Sequence, residues 1–85
     1  MKEFEYIITD PDGIHARPAG ELVKAAREFS CTIQLVKNEK AGDCKKIFSI
    51  MGLGVKKGDK VMLLFDGEDE DRAFSVLSSF MQEKL

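Results

Sequence analysis

The stretch Gly13-Ile14-His15-Ala16-Arg17-Pro18 holds the chain's single histidine and, two positions on, an arginine. Asp10-Pro11-Asp12-Gly13 before it is a turn signal. Helical spacing of apolar residues begins at Ala16, so His15 falls at or next to the N-cap of a helix. There the backbone N–H groups of Ala16 and Arg17 have no partner within the helix. Pro18 lacks an N–H but fits the first turn, because its φ is already helical. A helix start of this kind is a ready anion site. An imidazole that is to attack phosphorus must be unprotonated, and imidazole changes charge close to neutral pH. The positive end of a helix disfavours the cation. A phosphoryl group carried on the ring would face the same N–H groups and Arg17. An exposed helix dipole stabilises such a charge by roughly 0.3–1 kcal/mol, and charge-assisted hydrogen bonds add to that. Modest stabilisation suits a carrier, which must release its cargo as readily as it accepts it. A histidine near a helix start, or an arginine two residues later, is by itself usually a surface residue; only the combination is specific.

The elements that must position these residues are legible from periodicity. Phe4 to Thr9 alternates Phe4, Tyr6 and Ile8 against Glu3, Glu5 and Ile7, a strand pattern. Ala16, Ala19, Leu22, Val23 and Ala26 form the stripe of a helix from about Arg17 to Phe29. Thr32 to Lys37 reads as a strand, Asn38-Glu39 as a tight turn, and Lys40 to Lys45 as a weak edge strand. Lys46 to Gly52 is a short helical segment ended by glycine. Val61 to Asp66 is an apolar strand expected in the middle of the sheet. Asp69 to Lys84 is the clearest helix, with a stripe of Ala73, Val76, Leu77 and Phe80 and acidic residues in its first turn. The order β-α-β-β-α-β-α predicts a two-layer α+β sandwich, its helices on one face of a mostly antiparallel sheet.

Composition narrows the function. Eighty-five residues make one small domain, expected to span 1–85, with room for a core and a shallow site but hardly for a deep cleft. The net charge of −2 gives no field to favour nucleic acid or anionic membrane. The longest apolar stretch, Val61 to Phe65, is far too short for a membrane span. The N-terminal residues lack the apolar core of a signal peptide, and a cytoplasmic location is the default. Cys31 and Cys44 read as reduced packing residues, and one histidine with no C-x-x-C pair argues against a metal centre. No base partner accompanies His15, so an enzyme in its own right lacks residues. An RNA binder of similar element order would need a basic, aromatic-rich strand, which is missing.

Gly13-Ile14-His15-Ala16-Arg17-Pro18-Ala19, with the later Leu53-Gly54-Val55-Lys56-Lys57-Gly58, resembles the signature of the HPr family. These are the histidine-containing phosphocarriers of the bacterial phosphoenolpyruvate-dependent sugar phosphotransferase system. The resemblance covers essentially the whole chain. It implies an open-faced sandwich, with three helices on one side of a four-stranded antiparallel sheet. It implies that His15 accepts the phosphoryl group through Nδ1, that Arg17 assists transfer and that Pro18 shapes the first turn. The donor would be enzyme I, phosphorylated from phosphoenolpyruvate. The recipients would be the sugar-specific enzyme IIA proteins or domains. No cofactor is implied, and a monomer is the natural state for a carrier that presents one histidine to two partners in turn.

The family docks partners around the histidine, through its first and second helices. Those positions here read Ala16, Gly20, Lys24 and Arg27, then Ile47, Phe48 and Met51. Ile47 and Ile50 are expected mainly in the core, and Phe48 and Met51 in an exposed patch rimmed by Lys24, Arg27 and Lys45, suited to acidic partners. Many relatives carry a regulatory serine at the start of the second helix, where an ungapped reading places Lys46. A lysine cannot take that modification. Ser49 could substitute only through a shifted alignment with a three-residue deletion, which the ungapped register avoids. Gly20 is a smaller departure, since a bulkier residue is commoner there. A regulatory paralogue, signalling through phosphorylated His15 without a role in sugar transport, is the alternative. It differs in whether His15 passes its group to an enzyme IIA.

Overall fold

The structure, a computed structural model, describes residues 1–85. Seven elements follow one another: β1 (Lys2–Ile7), α1 (Ala16–Ala26), β2 (Thr32–Lys37), β3 (Lys40–Asp43), α2 (Ile47–Met51), β4 (Lys60–Asp66) and α3 (Glu70–Lys84). The four strands form one antiparallel sheet in the order β1-β4-β2-β3. The strand expected in the middle, β4, pairs with β1 on one side and β2 on the other.

Strand alternation sets the two faces of the sheet. Phe4 and Tyr6 lie opposite Leu63 and Val61, and Leu35 lies opposite Leu63 from the other side. These side chains, with Ile33 and Phe65, join the core beneath the helices. Glu3, Glu5 and Gln34 point the other way and are exposed. α1 contributes Ala19, Leu22, Val23 and Ala26 to the core, and α3 contributes Ala73, Leu77 and Met81. The fold is therefore an open-faced α+β sandwich with three helices over a four-stranded antiparallel sheet.

Three details depart from the periodicity. α1 ends at Ala26, and Glu28 and Phe29 close a tighter turn by donating to the carbonyls of Ala25 and Ala26. Val76, placed in the apolar stripe of the last helix, is 46% exposed, while Met81 and Leu85 are buried. The sheet covers a narrower sector of α3 than the full run of apolar side chains. Asn38 takes the left-handed conformation, φ 52°, at the β2–β3 turn; asparagine tolerates it better than most residues.

Both cysteines are buried core residues. Burial pushes the Cys31 thiol up to about 11 and the Cys44 thiol up to about 12. Asp69, just before α3, accepts the N–H groups of Ser30 (2.8 Å) and Cys31 (2.9 Å) and the Ser30 hydroxyl (3.3 Å). It thereby ties the end of the α1–β2 connection to the start of α3. The Ser30 N–H bond is the chief cause that holds its carboxyl down at about 2.

Candidate functional site

Residues 9–15 leave the sheet and enter α1 through a tightly bonded loop. The Asp12 N–H donates to Asp10 Oδ1 (2.8 Å) and the Gly13 N–H to the Asp10 carbonyl (2.9 Å). Gly13 adopts φ 66°, the left-handed region that glycine enters without penalty. The Ile14 N–H donates to the Val55 carbonyl (3.1 Å), and Ile14 itself is buried. The Leu53–Gly58 segment thus supports the loop directly. It is held in turn by Lys37, whose Nζ reaches the Gly54 carbonyl (2.8 Å) and Asp59 Oδ2 (2.9 Å). At the other end of the loop, the Leu85 carbonyl accepts the Thr9 N–H (2.6 Å), the Asp10 N–H (2.9 Å) and the Thr9 hydroxyl (3.0 Å).

His15 is the N-cap of α1, with extended backbone (φ −98°, ψ −175°). Its carbonyl accepts the Ala19 N–H at 3.0 Å, and its half-buried side chain makes no capping bond. The N–H groups of Ala16 and Arg17 therefore precede the first rung of the helical ladder. Both residues are exposed, whereas Pro18 is buried against the core. His15, Arg17 and Pro18 line a shallow depression of about 330 Å³ with Asp10, Glu21 and Lys84. A ring nitrogen of His15 and one carboxylate oxygen each of Asp10 and Asp12 lie within 4.8 Å of one another. Two carboxylates and one imidazole are few donors for a protein-held cation. The sequence had marked Asp10 to Gly13 only as a turn. Asp10 and Asp12 stand five and three positions before His15, near enough along the chain for their side chains to come back toward the ring.

Residues 2–83 match the family described as PTS-HPr, PTS HPr component phosphorylation site. The chain belongs to the HPr family. It is 43% identical over 83 residues to the phosphocarrier protein HPr of Lysinibacillus sphaericus, covering 98% of this chain and 94% of that protein. The structure of a histidine-containing phosphocarrier protein from Mycoplasma superposes with a TM-score of 0.93 at 39% identity, covering 96% of this chain and 93% of the other. HPr from Thermoanaerobacter tengcongensis gives a TM-score of 0.93 at 39% identity, with coverage of 99% and 94%. The protein is a phosphocarrier of the phosphotransferase system.

Of the residues read as a docking face, four of the seven come together in one groove of this HPr scaffold. Gly20, Lys24, Arg27 and Ile47 line a shallow groove between α1 and α2, with Val23 at its floor. Phe48 is 85% exposed and Met51 39%, while Ile50 is fully buried and Ile47 packs partly against the core. Arg27 is fixed to α2's approach by its Nε, which donates to the Lys45 carbonyl at 2.9 Å. Ala16 lies apart from the groove, at the His15 end of α1.

Lys46 is the exposed N-cap of α2 in this HPr-family chain and makes no capping bond through its side chain. Ser49 is half-buried, and its Oγ accepts the Asp43 N–H at 2.9 Å. That hydroxyl is engaged in joining β3 to α2.

Proposed function

We propose that His15 accepts a phosphoryl group from phosphorylated enzyme I and donates it to enzyme IIA proteins or domains. The observation that carries this reading is the position of the chain's single histidine as the α1 N-cap, with the Ala16 and Arg17 N–H groups outside the helical ladder and Arg17 on the same rim. In the uptake step the Nδ1 lone pair of His15 forms the N–P bond. The donor's bond to phosphorus breaks and its electron pair leaves with the donor. The second transfer reverses these roles, and the pair returns to the His15 ring. The protein acts stoichiometrically, as a monomer in the cytoplasm, and its groove between α1 and α2 with exposed Phe48 and Met51 receives both partners.

The test is intact mass after mixing with enzyme I and phosphoenolpyruvate, followed by mild acid. Gain of one phosphoryl mass that acid removes identifies a phosphohistidine, because phosphoramidates are acid-labile and phosphoserine is not. His15→Ala abolishes uptake with the fold intact, and Arg17→Ala slows it. Normal labelling of His15→Ala would overturn the assignment. Labelled protein that cannot pass its group to any enzyme IIA would instead favour the regulatory paralogue. Lys46 at the α2 cap and the engaged Ser49 hydroxyl oppose control by a serine kinase at this end of α2.

A further inference from the structure

We infer that Asp12, together with Asp10, raises the transfer potential of the phosphoryl group on His15 by electrostatic repulsion. This rests on the reading of His15 as acceptor. The loop fixes the backbone at both acids and the Asp10 side chain, while the Asp12 carboxylate is exposed and without a hydrogen-bond partner. The Asp12 N–H grips Asp10 Oδ1, and the Gly13 N–H grips the Asp10 carbonyl, so both acids are held on the turn that leads into His15. One oxygen from each carboxylate and a His15 ring nitrogen fall within 4.8 Å of one another. Neither acid is neutralised by an ion pair; the four pairs of the molecule involve other carboxylates. The charges bordering the same depression are Glu21, Arg17 and Lys84, so two cations face three acids in all.

Phosphorylation changes the charge at this spot. Nδ1, on the proposed reading, gains an N–P bond while the donor's bond to phosphorus breaks with its electron pair, so the ring acquires a group bearing negative charge. The Ala16 and Arg17 N–H groups and the Arg17 side chain attract that charge, and Asp10 and Asp12 repel it. Repulsion between charges about 5 Å apart, in aqueous surroundings at physiological salt, shifts an equilibrium by roughly two- to fivefold per carboxylate. The acids make uptake less complete and onward transfer more favourable by the same factor. They set the level of the carrier's charged state.

The experiment compares wild type, Asp12→Asn and Asp10→Asn at a fixed ratio of phosphoenolpyruvate to pyruvate with enzyme I. The equilibrium ratio of phosphorylated to free protein is read by intact mass at low and at high salt. Asp12→Asn is exposed and isosteric, and Asp10→Asn keeps the Oδ1 that the Asp12 N–H needs. Each variant is expected to raise the ratio about two- to fivefold at low salt, with the gain shrinking at high salt. Ratios equal to wild type at both salts would overturn the inference, as would a gain that salt leaves unchanged, since a loop distortion has no reason to be screened. Wild type that takes up no acid-labile group would overturn the reading of His15 itself; labelled wild type and variants with equal ratios overturn only the role of the acids.

Discussion

Gly13 is pressed against Val55 so closely that a Cβ built on it would fall 2.3 Å from the Val55 carbonyl oxygen and 2.7 Å from the Lys56 Cα. That same carbonyl accepts the Ile14 N–H. Contact between the two segments is what seats the loop that carries His15 at the head of α1.

Gly13→Ala therefore meets backbone on one side and a left-handed φ on the other. We expect a loss of about 2 kcal/mol or more in unfolding free energy, measured by urea titration. Phosphoryl uptake should fall further than stability alone accounts for, because the loop must move off Val55 to accommodate the methyl group. Wild-type stability in this variant would contradict the packing.

Gly20→Ala should do the opposite. Its Cβ would meet only the Ile47 Cδ1, at an ordinary contact distance of 3.9 Å. Replacing a mid-helix glycine in open space gains about 0.5–1 kcal/mol. A thermal melt reads this as a raised Tm. The added methyl also intrudes on the groove with Lys24, Arg27 and Ile47, so partner KM is the second quantity to record.

Phe48→Ala separates docking from stability. At 85% exposure the ring adds little to the core, and Tm should stay within the range of an ordinary surface substitution, about 0.5 kcal/mol. If the patch is a contact with partners, losing an aromatic anchor costs about 1–2 kcal/mol of binding, roughly a tenfold rise in KM. Unchanged steady-state transfer kinetics would remove Phe48 from the interface.

Asp69→Asn should make stability less dependent on acid. The carboxyl sits at about 2 in the folded protein against 3.8 for the free group. The folded state thus prefers the ionised form. Its contribution is fully present above about pH 4 and is lost as pH falls through about 2. The variant should melt below wild type at neutral pH, and the gap should close over that window. A gap independent of pH would mean that the bonds to Ser30 and Cys31 do not need the charge.

Much of this was legible in the sequence because it follows from short-range rules. The alternation of Phe4, Tyr6 and Ile8, the stripe of α1 and the punctuation around His15 each depend on neighbours a few residues away. Burial of Ile50 and exposure of Phe48 and Met51 followed from the crowding of apolar residues on a helix too short to hide them all. What escaped was set by segments distant along the chain. Val76 looked like core until the sheet determined which sector of α3 it covers. The support of Ile14 by Val55, and of the Val55 segment by Lys37 and Asp59, is tertiary and carries no local pattern. The approach of Asp10 and Asp12 to His15 was local but hidden, since a turn signal says that the chain reverses and not where its side chains end up.

The strand order has a consequence for synthesis on the ribosome. β1 is made first, yet it pairs only with β4, so that Lys2 waits for Phe65 and Ile7 for Lys60. The carbonyl that anchors Thr9 and Asp10 belongs to Leu85. Pairing across such separations forms late, because the intervening chain must first be closed. A nascent chain that has not yet released β4 and the end of α3 has its histidine already outside the ribosome but no seated loop around it. Truncated translation products that lack β4 or the end of α3 would thus expose the histidine without the loop that seats it.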